Sequence, residues 1–360
     1  MSKEERVLVF EAEEKTIDPS DLHDWVLSVL SAAGASSLAA EATANALLSA
    51  TRRGLDSHGV EYLHYYLPKL RSGVTPGDAH PTVVLDLPAL MVVDGNAAMG
   101  AYVATYAMEL ACEKAKDVGA GVVAVRNSSH FGAASVYAEL AVKNDCIGIA
   151  MTNSDPGMAP KGALAPVLGT NPVAIAAPSG SDGVMPSLDM AASLVAFSRV
   201  IRSARAGESI PADWAIGPDG RPTEDPNAAL KNSVVPFGGH KGFALAFMID
   251  VLAGCLSGGA TSQEIVIEDP EMEGPQGTAH LFIAIHLNSV CDRSDYVESL
   301  DRLIESVHGA PTASWSEEIL FPGEPEHRTS SKRFHGIPLR PEALTLLRGL
   351  GDEYGVVFPV

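Results

Sequence analysis

Two histidine-centred clusters and several Gly-rich polar turns are where this chain could do chemistry. The first is Asp56-Ser57-His58-Gly59, just ahead of a helical stretch. Asp56 or Ser57 suits a helix cap, and His58 would project from the helix start; read alone, the four residues also describe a capping turn with an incidental histidine. An imidazole with an unperturbed pKa of about 6.5 can give or take a proton near neutral pH. The second cluster runs from Arg126 to Gly132, with Asn127, Ser128, Ser129, His130 and Phe131 between them. It follows a strand-like run and precedes a helix, a position where binding groups tend to sit, although ordinary caps would also account for it.

Further along, Thr152-Asn153-Ser154 and Gly169-Thr170-Asn171-Pro172 offer hydroxyl, amide and backbone donors for a neutral or anionic ligand. Leu188-Asp189-Met190 sets one carboxylate at the end of an apolar strand, where a desolvated carboxylate beside a histidine would raise the imidazole pKa. Gly238-Gly239-His240-Lys241-Gly242 opens an apolar helix and could turn backbone amides and one ammonium towards a phosphate. His23, His64, His80, His286, His308, His327 and His335 form no pair with ligand spacing, and His58 and His64 would point to different sides of a helix. They read as surface or packing groups, and no metal site is expected.

The elements that must hold these groups follow from periodicity. Residues 19–71 carry helical spacing, with Leu22, Val26, Leu27 and Leu30 on one face and Gly73, Pro76 and Gly77 as stops. Short strands follow at TVVLDL and LMVVDG, then a helix over 101–117, then strand-like GVVAVRN, CIGIAMTN, NPVAIAAP and VMPSLDMA, with a helix over 133–143 among them. Residues 205–233, rich in Gly, Pro, Asp and Ala, read as a surface excursion of short turns. An apolar helix to Leu256, a strand HLFIAIH and helices over 295–308 and 341–354 complete the chain. The near-fingerprint Gly119, Gly121 and Ala124 has its helix before its strand, the reverse of what a dinucleotide turn requires, so a Rossmann site is rejected.

Composition narrows the classes. The 360 residues carry 45 acidic against 25 basic side chains, a net charge of −20 with no basic cluster, which argues against nucleic acid and anionic membranes as partners. Residues 243–256 are too short for a membrane span and contain Asp250, so they read as a buried helix. The four scattered cysteines suit neither a disulfide framework nor a metal cluster, and no secretion signal is visible; a cytoplasmic protein is expected.

Taken in order, GLDSHGV, VVDGNAAMG, VVAVRNSSHFGAA, MTNSDPGMAP, VLGTNPVAIAAP, LDMAAS, PFGGHKGFALA and LFPGEP resemble the type-2 malate/L-lactate dehydrogenase family, whose relatives include sulfolactate and ureidoglycolate dehydrogenases, diketogulonate reductase and the piperideine-carboxylate reductases. The resemblance implies an α/β (α+β type) non-Rossmann fold in which a largely antiparallel sheet binds NAD or NADP beside a helical part made by both chain ends. It divides the chain into a helical region 1–80, a dinucleotide-binding and catalytic region 81–290, and a helical region 291–360 that packs with the first. It implies a homodimer with its cleft near the subunit interface. It places the acid/base at one of two active-site histidines, His58, which is favoured, or His130, with Asp189 as the carboxylate that relays protons or orients an imidazole, and Ser57, Tyr62 and Tyr66 on the substrate. It sets Ser154, Thr170, Asn171, Leu188, Asp189, Met190, His240, Lys241, Gly323, Glu324 and Pro325 at or near the dinucleotide.

Two departures stand out against that family. Its usual arginine, three residues past the glycine of SHG, is Tyr62 here, and its usual APWGG is Pro160-Lys161-Gly162. A phenol cannot replace a bidentate guanidinium, so Lys161 is expected to take over part of the anion binding, or the substrate differs from malate and lactate. The expected activity is hydride exchange between a 2-hydroxy acid and its 2-oxo counterpart; a cyclic-imine reductase and a catalytically silent dinucleotide-binding dimer remain as alternatives.

Overall fold

The computed structural model describes residues 15–267 and 274–359. The chain enters through β1 (Lys15–Ile17), α1 (Pro19–Ala32), α2 (Ser37–Arg52) and α3 (Leu63–Ser72). The central part runs β2 (Thr82–Asp86), β3 (Leu90–Asp94), α4 (Gly100–Val118), β4 (Ala120–Ser128), α5 (Ser135–Val142), β5 (Cys146–Thr152), β6 (Val173–Ala176) and β7 (Ser187–Met190). Next come α6 (Phe197–Ala206), β8 (Ala215–Ile216), α7 (Pro226–Leu230), β9 (Ser233–Val234), α8 (His240–Asp250) and β10 (Thr278–His286). The last elements are α9 (Arg293–His308), α10 (Glu324–Lys332), β11 (Ile337–Leu339) and α11 (Pro341–Tyr354).

Seven strands form one sheet in the order β2-β3-β4-β10-β5-β6-β7, antiparallel at every pairing except β3 with β4. The mainly antiparallel, non-Rossmann expectation therefore holds. Alternation writes β5, whose residues are buried at every second position, whereas β10 is buried along most of its length because it lies in the middle. The Ala-rich stripe of α4, with Val103, Ala107, Met108 and Ala111, packs with α5 on one face to make the main core. Gly121 lets α4 approach closely, since a Cβ there would lie 2.0 Å from the Ala111 carbonyl oxygen. That contact explains the glycine that mimicked part of a dinucleotide fingerprint. α8, which widens into a π turn over Val251–Cys255, packs against β5, and the π turn against β4 and β10.

A second core joins the chain ends: Leu22, Trp25, Val26 and Leu30 of α1 meet Leu47, Leu63 and Leu67, and Ile337, Leu347 and Phe358 from the C-terminal end. β1 pairs with β11, and the Trp25 and Phe358 rings meet edge to face at 4.8 Å. α9 does not share that core. Its Tyr296 hydroxyl donates to the Pro178 carbonyl at 2.8 Å, its Asp301 accepts from the Ser181 amide at 2.9 Å, and Arg293 pairs with Asp145, so it lies on the sheet side.

Two sequence expectations change here. Residues 205–233 are more than turns: with α6 they enclose a small third core of Val195, Val200, Ile210, Ala215, Ala229 and Val234. Its apolar residues are too sparse among Gly, Pro and Asp to show a period. The apolar helix ending at Leu256 is buried on one side only; Ala246, Ile249 and Ala253 face inward, while Phe247, Met248 and Leu256 are each about half exposed. Among the described residues no helix is long and apolar enough to cross a membrane.

His280 occupies the middle of β10, fully buried, with Nδ1 2.8 Å from the Thr152 hydroxyl and its ring against Phe131. Burial pushes its pKa down to about 3, and the nearby His130 acts in the same direction. The unfolded chain, with a histidine pKa near 6.5, takes up a proton that the folded one refuses. The stability tied to His280 is thus complete above about pH 6.5 and declines towards about pH 3, by about 1.4 kcal/mol per pH unit. Acidifying from about pH 7 to about pH 5 should cost about 2 kcal/mol through this group. Urea midpoints of the wild type and of His280→Gln at the two pH values check this: the variant should lose that part of the slope, and an unchanged slope would contradict the assignment.

Candidate active site

His58 sits where the helical core turns towards the sheet. After α2 the chain makes two short helical turns, Asp56–His58 and Val60–Tyr62, before α3 begins. The Val60 amide donates to the Thr51 hydroxyl at 2.9 Å, Arg333 pairs with Asp56 at 2.8 Å and also donates to the Thr51 carbonyl, and Arg340 pairs with Glu61 at 2.9 Å. Two arginines from the C-terminal segment thus clamp the turn that carries Ser57 and His58. The Ser57 hydroxyl and His58 Nδ1 lie 2.9 Å apart.

His130 comes from the sheet side, two residues past the end of β4. Its backbone is pinned from two directions. The His130 amide donates to Gln276 Oε1 at 2.8 Å, and Gly100, at the start of α4, lies so close that a Cβ would stand 2.1 Å from the Ser129 carbonyl oxygen and 2.4 Å from that of His130. Nδ1 of its ring lies 2.8 Å from the hydroxyl of Tyr66, which reaches across from α3. The two cores therefore bring the predicted histidines together, with ring centroids 5.8 Å apart. Tyr62 completes the group: its ring stacks on His130 at 4.5 Å and runs nearly parallel to His58 at 5.9 Å. Tyr66 is 7% exposed, so its hydroxyl serves His130 rather than presenting a broad surface to substrate.

An ion pair largely withdrawn from solvent holds the cores in this relation. Arg53, the residue capping α2, pairs with Glu139 of α5, and the Ser187 hydroxyl of β7 donates to the same carboxylate at 2.8 Å. Burial raises the Glu139 carboxyl above its ordinary range, and the Arg53 charge opposes the rise. Two residues on, the Asp189 side chain accepts from the Ser135 amide at 2.9 Å at the start of α5. Among the described residues it touches no imidazole, so its role within the chain is to cap a helix rather than to orient a histidine.

The residues expected at the dinucleotide converge from several loops. Asn171 accepts from the Ser154 amide at 3.0 Å and donates to the Ala246 carbonyl of α8 at 2.9 Å. It is fully buried, so it positions Ser154 instead of meeting a ligand. The Thr170 carbonyl accepts from the Ala192 amide at 2.7 Å, and the Ala192 carbonyl accepts from Phe237 at 3.1 Å, which brings Met190 and the start of α8 near Thr170. His240 and Lys241 are exposed in the first turn of α8. Gly323 meets the start of β7, where a Cβ would stand 2.5 Å from the Met185 carbonyl oxygen and 2.7 Å from the Ser187 amide. Glu324 does not face outward: it is 7% exposed and binds His308, Arg328 and the Phe321 amide. The amides of Lys241, Gly242 and Phe243 bond back to the carbonyls of Gly238, Phe237 and Gly239, so the exposed Lys241 ammonium is the donor of this turn that fits a phosphate-bearing dinucleotide.

Lys161 makes no described contact with either histidine. It is exposed in a loop whose Leu164 packs near Gly220, towards the third core. Three residues that serve the site were not foreseen: Gln276, His280 and Lys69, the last 3% exposed and lining one cavity with Tyr66, Ser129 and His130. Lys69 had a signal in its spacing, three residues after Tyr66 and within the apolar stripe of α3.

Comparison with known proteins agrees with this construction. The malate/L-lactate dehydrogenase family model matches residues 17–348. The L-sulfolactate dehydrogenase of Methanothermobacter thermautotrophicus is 37% identical over 342 residues, covering 94% of this chain and 97% of the relative. The Delta(1)-pyrroline-2-carboxylate reductase of Ancylobacter novellus is 35% identical over 336 residues, 93% and 97% of the two chains. Among solved structures, malate dehydrogenase from Entamoeba histolytica superimposes with a TM-score of 0.91 at 29% identity, covering 97% of this chain and all of that one. With a family match over most of its length, relatives above 30% identity along nearly the whole chain and a shared fold, the chain belongs to the malate/L-lactate dehydrogenase family of nicotinamide-dependent oxidoreductases.

Proposed function

We propose that the protein interconverts a small 2-hydroxy acid and its 2-oxo acid, with His58 as the acid/base. The supporting observation is the pair of imidazoles 5.8 Å apart, each with Nδ1 at hydrogen-bond distance from a hydroxyl. The bound nicotinamide supplies or accepts the hydride at C2. In the reducing direction protonated His58 gives its proton to the forming alkoxide; in oxidation the neutral ring removes the hydroxyl proton. His130, held by Tyr66 and stacked on Tyr62, donates a hydrogen bond to the same oxygen, and Ser57 orients His58. Lys241 binds phosphate at the start of α8, while Ser154, Leu188 to Met190, Gly323 and Pro325 line the rest of the dinucleotide path. NAD and NADP both fit this donor set.

Tyr62 shapes the choice of acceptor. A phenol donates one hydrogen bond where a guanidinium would fork onto a carboxylate with two. The flat wall of Tyr62 and His130 also favours a second reading, reduction of a cyclic imine, since a planar ring can lie along it and a relative carries the name of a pyrroline-carboxylate reductase. The exposed apolar side of α8, Phe247, Met248 and Leu256, supports a homodimer, which sedimentation at twice 37.6 kDa would verify and a 37.6 kDa species would refute. A cytoplasmic location is proposed on the four cysteines in thiol form.

Loss of nicotinamide absorbance, followed with NADH and NADPH against oxaloacetate, pyruvate, sulfopyruvate and a cyclic imine, tests the proposal. Turnover is expected with at least one 2-oxo acid; turnover with the imine alone would establish the second reading instead. On the same panel His58→Ala should lower turnover by about 10²- to 10⁴-fold while leaving cofactor affinity within about twofold. Tyr62→Arg should improve apparent affinity for the dianionic acceptors by about tenfold, the effect of a charge-assisted bidentate contact. Full activity of His58→Ala would pass the acid/base role to His130.

A further inference from the structure

We propose that Asp250, the last residue of α8, is a positioning residue for the dinucleotide: its carboxylate clamps the loops that carry Ser154 and Thr170 to the helix that carries Lys241. The inference rests on the dinucleotide reading above and adds to it the group that sets the geometry of that site.

Asp250 is buried, and donors meet both of its oxygens. Oδ1 accepts from Asn153 Nδ2 at 2.8 Å; Oδ2 accepts from the Ser262 amide at 3.0 Å and from the Ser262 hydroxyl at 2.7 Å. Each side leads to one of the expected cofactor loops. Asn153 immediately precedes Ser154. The Ser262 oxygen, having given its hydrogen to Asp250, accepts from the Gly169 amide at 3.0 Å, and Gly169 precedes Thr170. The two loops also touch: a Cβ on Gly169 would stand 2.2 Å from the Ser154 hydroxyl oxygen and 2.4 Å from the Ser154 carbonyl oxygen. Asn153, Gly169 and Asn171 are buried, whereas Ser154 and Thr170 are half-buried, so the clamp lies inside and the groups it sets reach the surface.

Donor and acceptor counting shows why a carboxylate stands here. A carboxylate accepts at both oxygens; a carboxamide accepts at one end and donates at the other. The Asn153 amide is held in one orientation, because its Oδ1 accepts from the Ala279 amide of β10 at 2.8 Å and its Nδ2 also donates to the Ala260 carbonyl at 2.8 Å. The Ser262 backbone N–H can only donate. A carboxamide at position 250 therefore loses the Asn153 bond or the Ser262 amide bond, whichever way it turns. The π turn closes round the group: a Cβ on Gly254 would stand 3.2 Å from Asp250 Oδ1 and 2.7 Å from the Ala260 carbonyl oxygen.

From Lys241 to Asp250 the helix rises about 14 Å. The clamp thus fixes where the Ser154 and Thr170 loops stand along a helix whose other end offers the phosphate-binding ammonium. A dinucleotide must meet both ends at once, so a loosened loop costs affinity. The histidine turns hang on different contacts, those of Thr51, Arg333, Arg340 and Gln276, and keep their geometry when the clamp is cut.

Fluorescence titration with NADH and with NADPH, without substrate, tests this in Asp250→Asn. The dissociation constant of each cofactor that the wild type binds should rise by about tenfold or more, as for a lost hydrogen bond to a charged group. With an acceptor from the panel above, kcat at saturating cofactor should stay within about threefold. A folded Asp250→Asn whose dissociation constant stays within about twofold, or whose loss falls on kcat alone, overturns the inference. If Asp250→Asn does not fold, Ser262→Ala decides: it keeps the Asn153 bond and cuts the link to Gly169, so affinity should fall by about threefold or more, and unchanged affinity overturns the inference. Amide hydrogen exchange of the ligand-free proteins, read by mass spectrometry, keeps the clamp separate from the functional reading. Residues 150–156 and 166–172 should exchange faster in whichever variant folds, with β3 and α4 at the wild-type rate; equal rates throughout overturn the clamp. A wild type that binds neither cofactor would fail the dinucleotide reading alone.

Discussion

The site depends on how two hydrophobic cores dock, and the Arg53–Glu139 pair, largely withdrawn from solvent, is the interaction that fixes that docking. Arg53 caps α2 immediately before the turn that holds His58, and Glu139 stands on α5, which follows the loop that holds His130. A buried pair contributes little net stability against well-packed apolar replacements, yet breaking it by removing one partner costs about 3–5 kcal/mol because a charge is left alone. Its value lies in specifying one relative position of the cores. Two imidazoles on different elements cannot cooperate unless that position is set, and Tyr66 then crosses the junction to bond His130.

Charge acts locally in this molecule, not through its total. A net charge of −20 repels both an anionic dinucleotide and an organic acid at long range, but salt screens that repulsion beyond about 8–10 Å. On the reading proposed above, binding is then decided locally by Lys241, in a first turn of α8 that carries no acidic side chain. The C-terminal arginines Arg333 and Arg340 are committed to Asp56 and Glu61, so they shape the His58 turn rather than serve as ligands. Sequence charge alone makes no such distinction.

Much of the architecture was legible where the pattern is local. Alternation marked β3, β4 and β5, the Ala-rich stripe marked α4, and DSHG and NSSHFG marked the turns that carry both histidines. What was hidden comes from contacts distant along the chain. β10 inserts between β4 and β5 after a long excursion, and β1 pairs with β11 at the opposite end of the chain. Asn171 and Glu324 read as ligand-facing because they are polar and sit among motif residues, but their side chains are spent on Ser154, Ala246, His308 and Arg328. Lys161 stood where an anion-binding group was expected, and it is exposed in a loop whose Leu164 packs near Gly220. Lys69 escaped notice for the opposite reason, a charge inside an apolar stripe that looks like the polar edge of a helix until its burial is known.

Transfer of deuterium from NADH or NADPH deuterated at both C4 positions to the acceptor, read by mass spectrometry of the product, tests most directly the claim that this site moves a hydride to C2. The account predicts a 2-hydroxy acid carrying one deuterium on C2, formed by the wild type and greatly reduced in His58→Ala. Product formed without the label, or no labelled product from any acceptor that the protein demonstrably binds together with its cofactor, would contradict it.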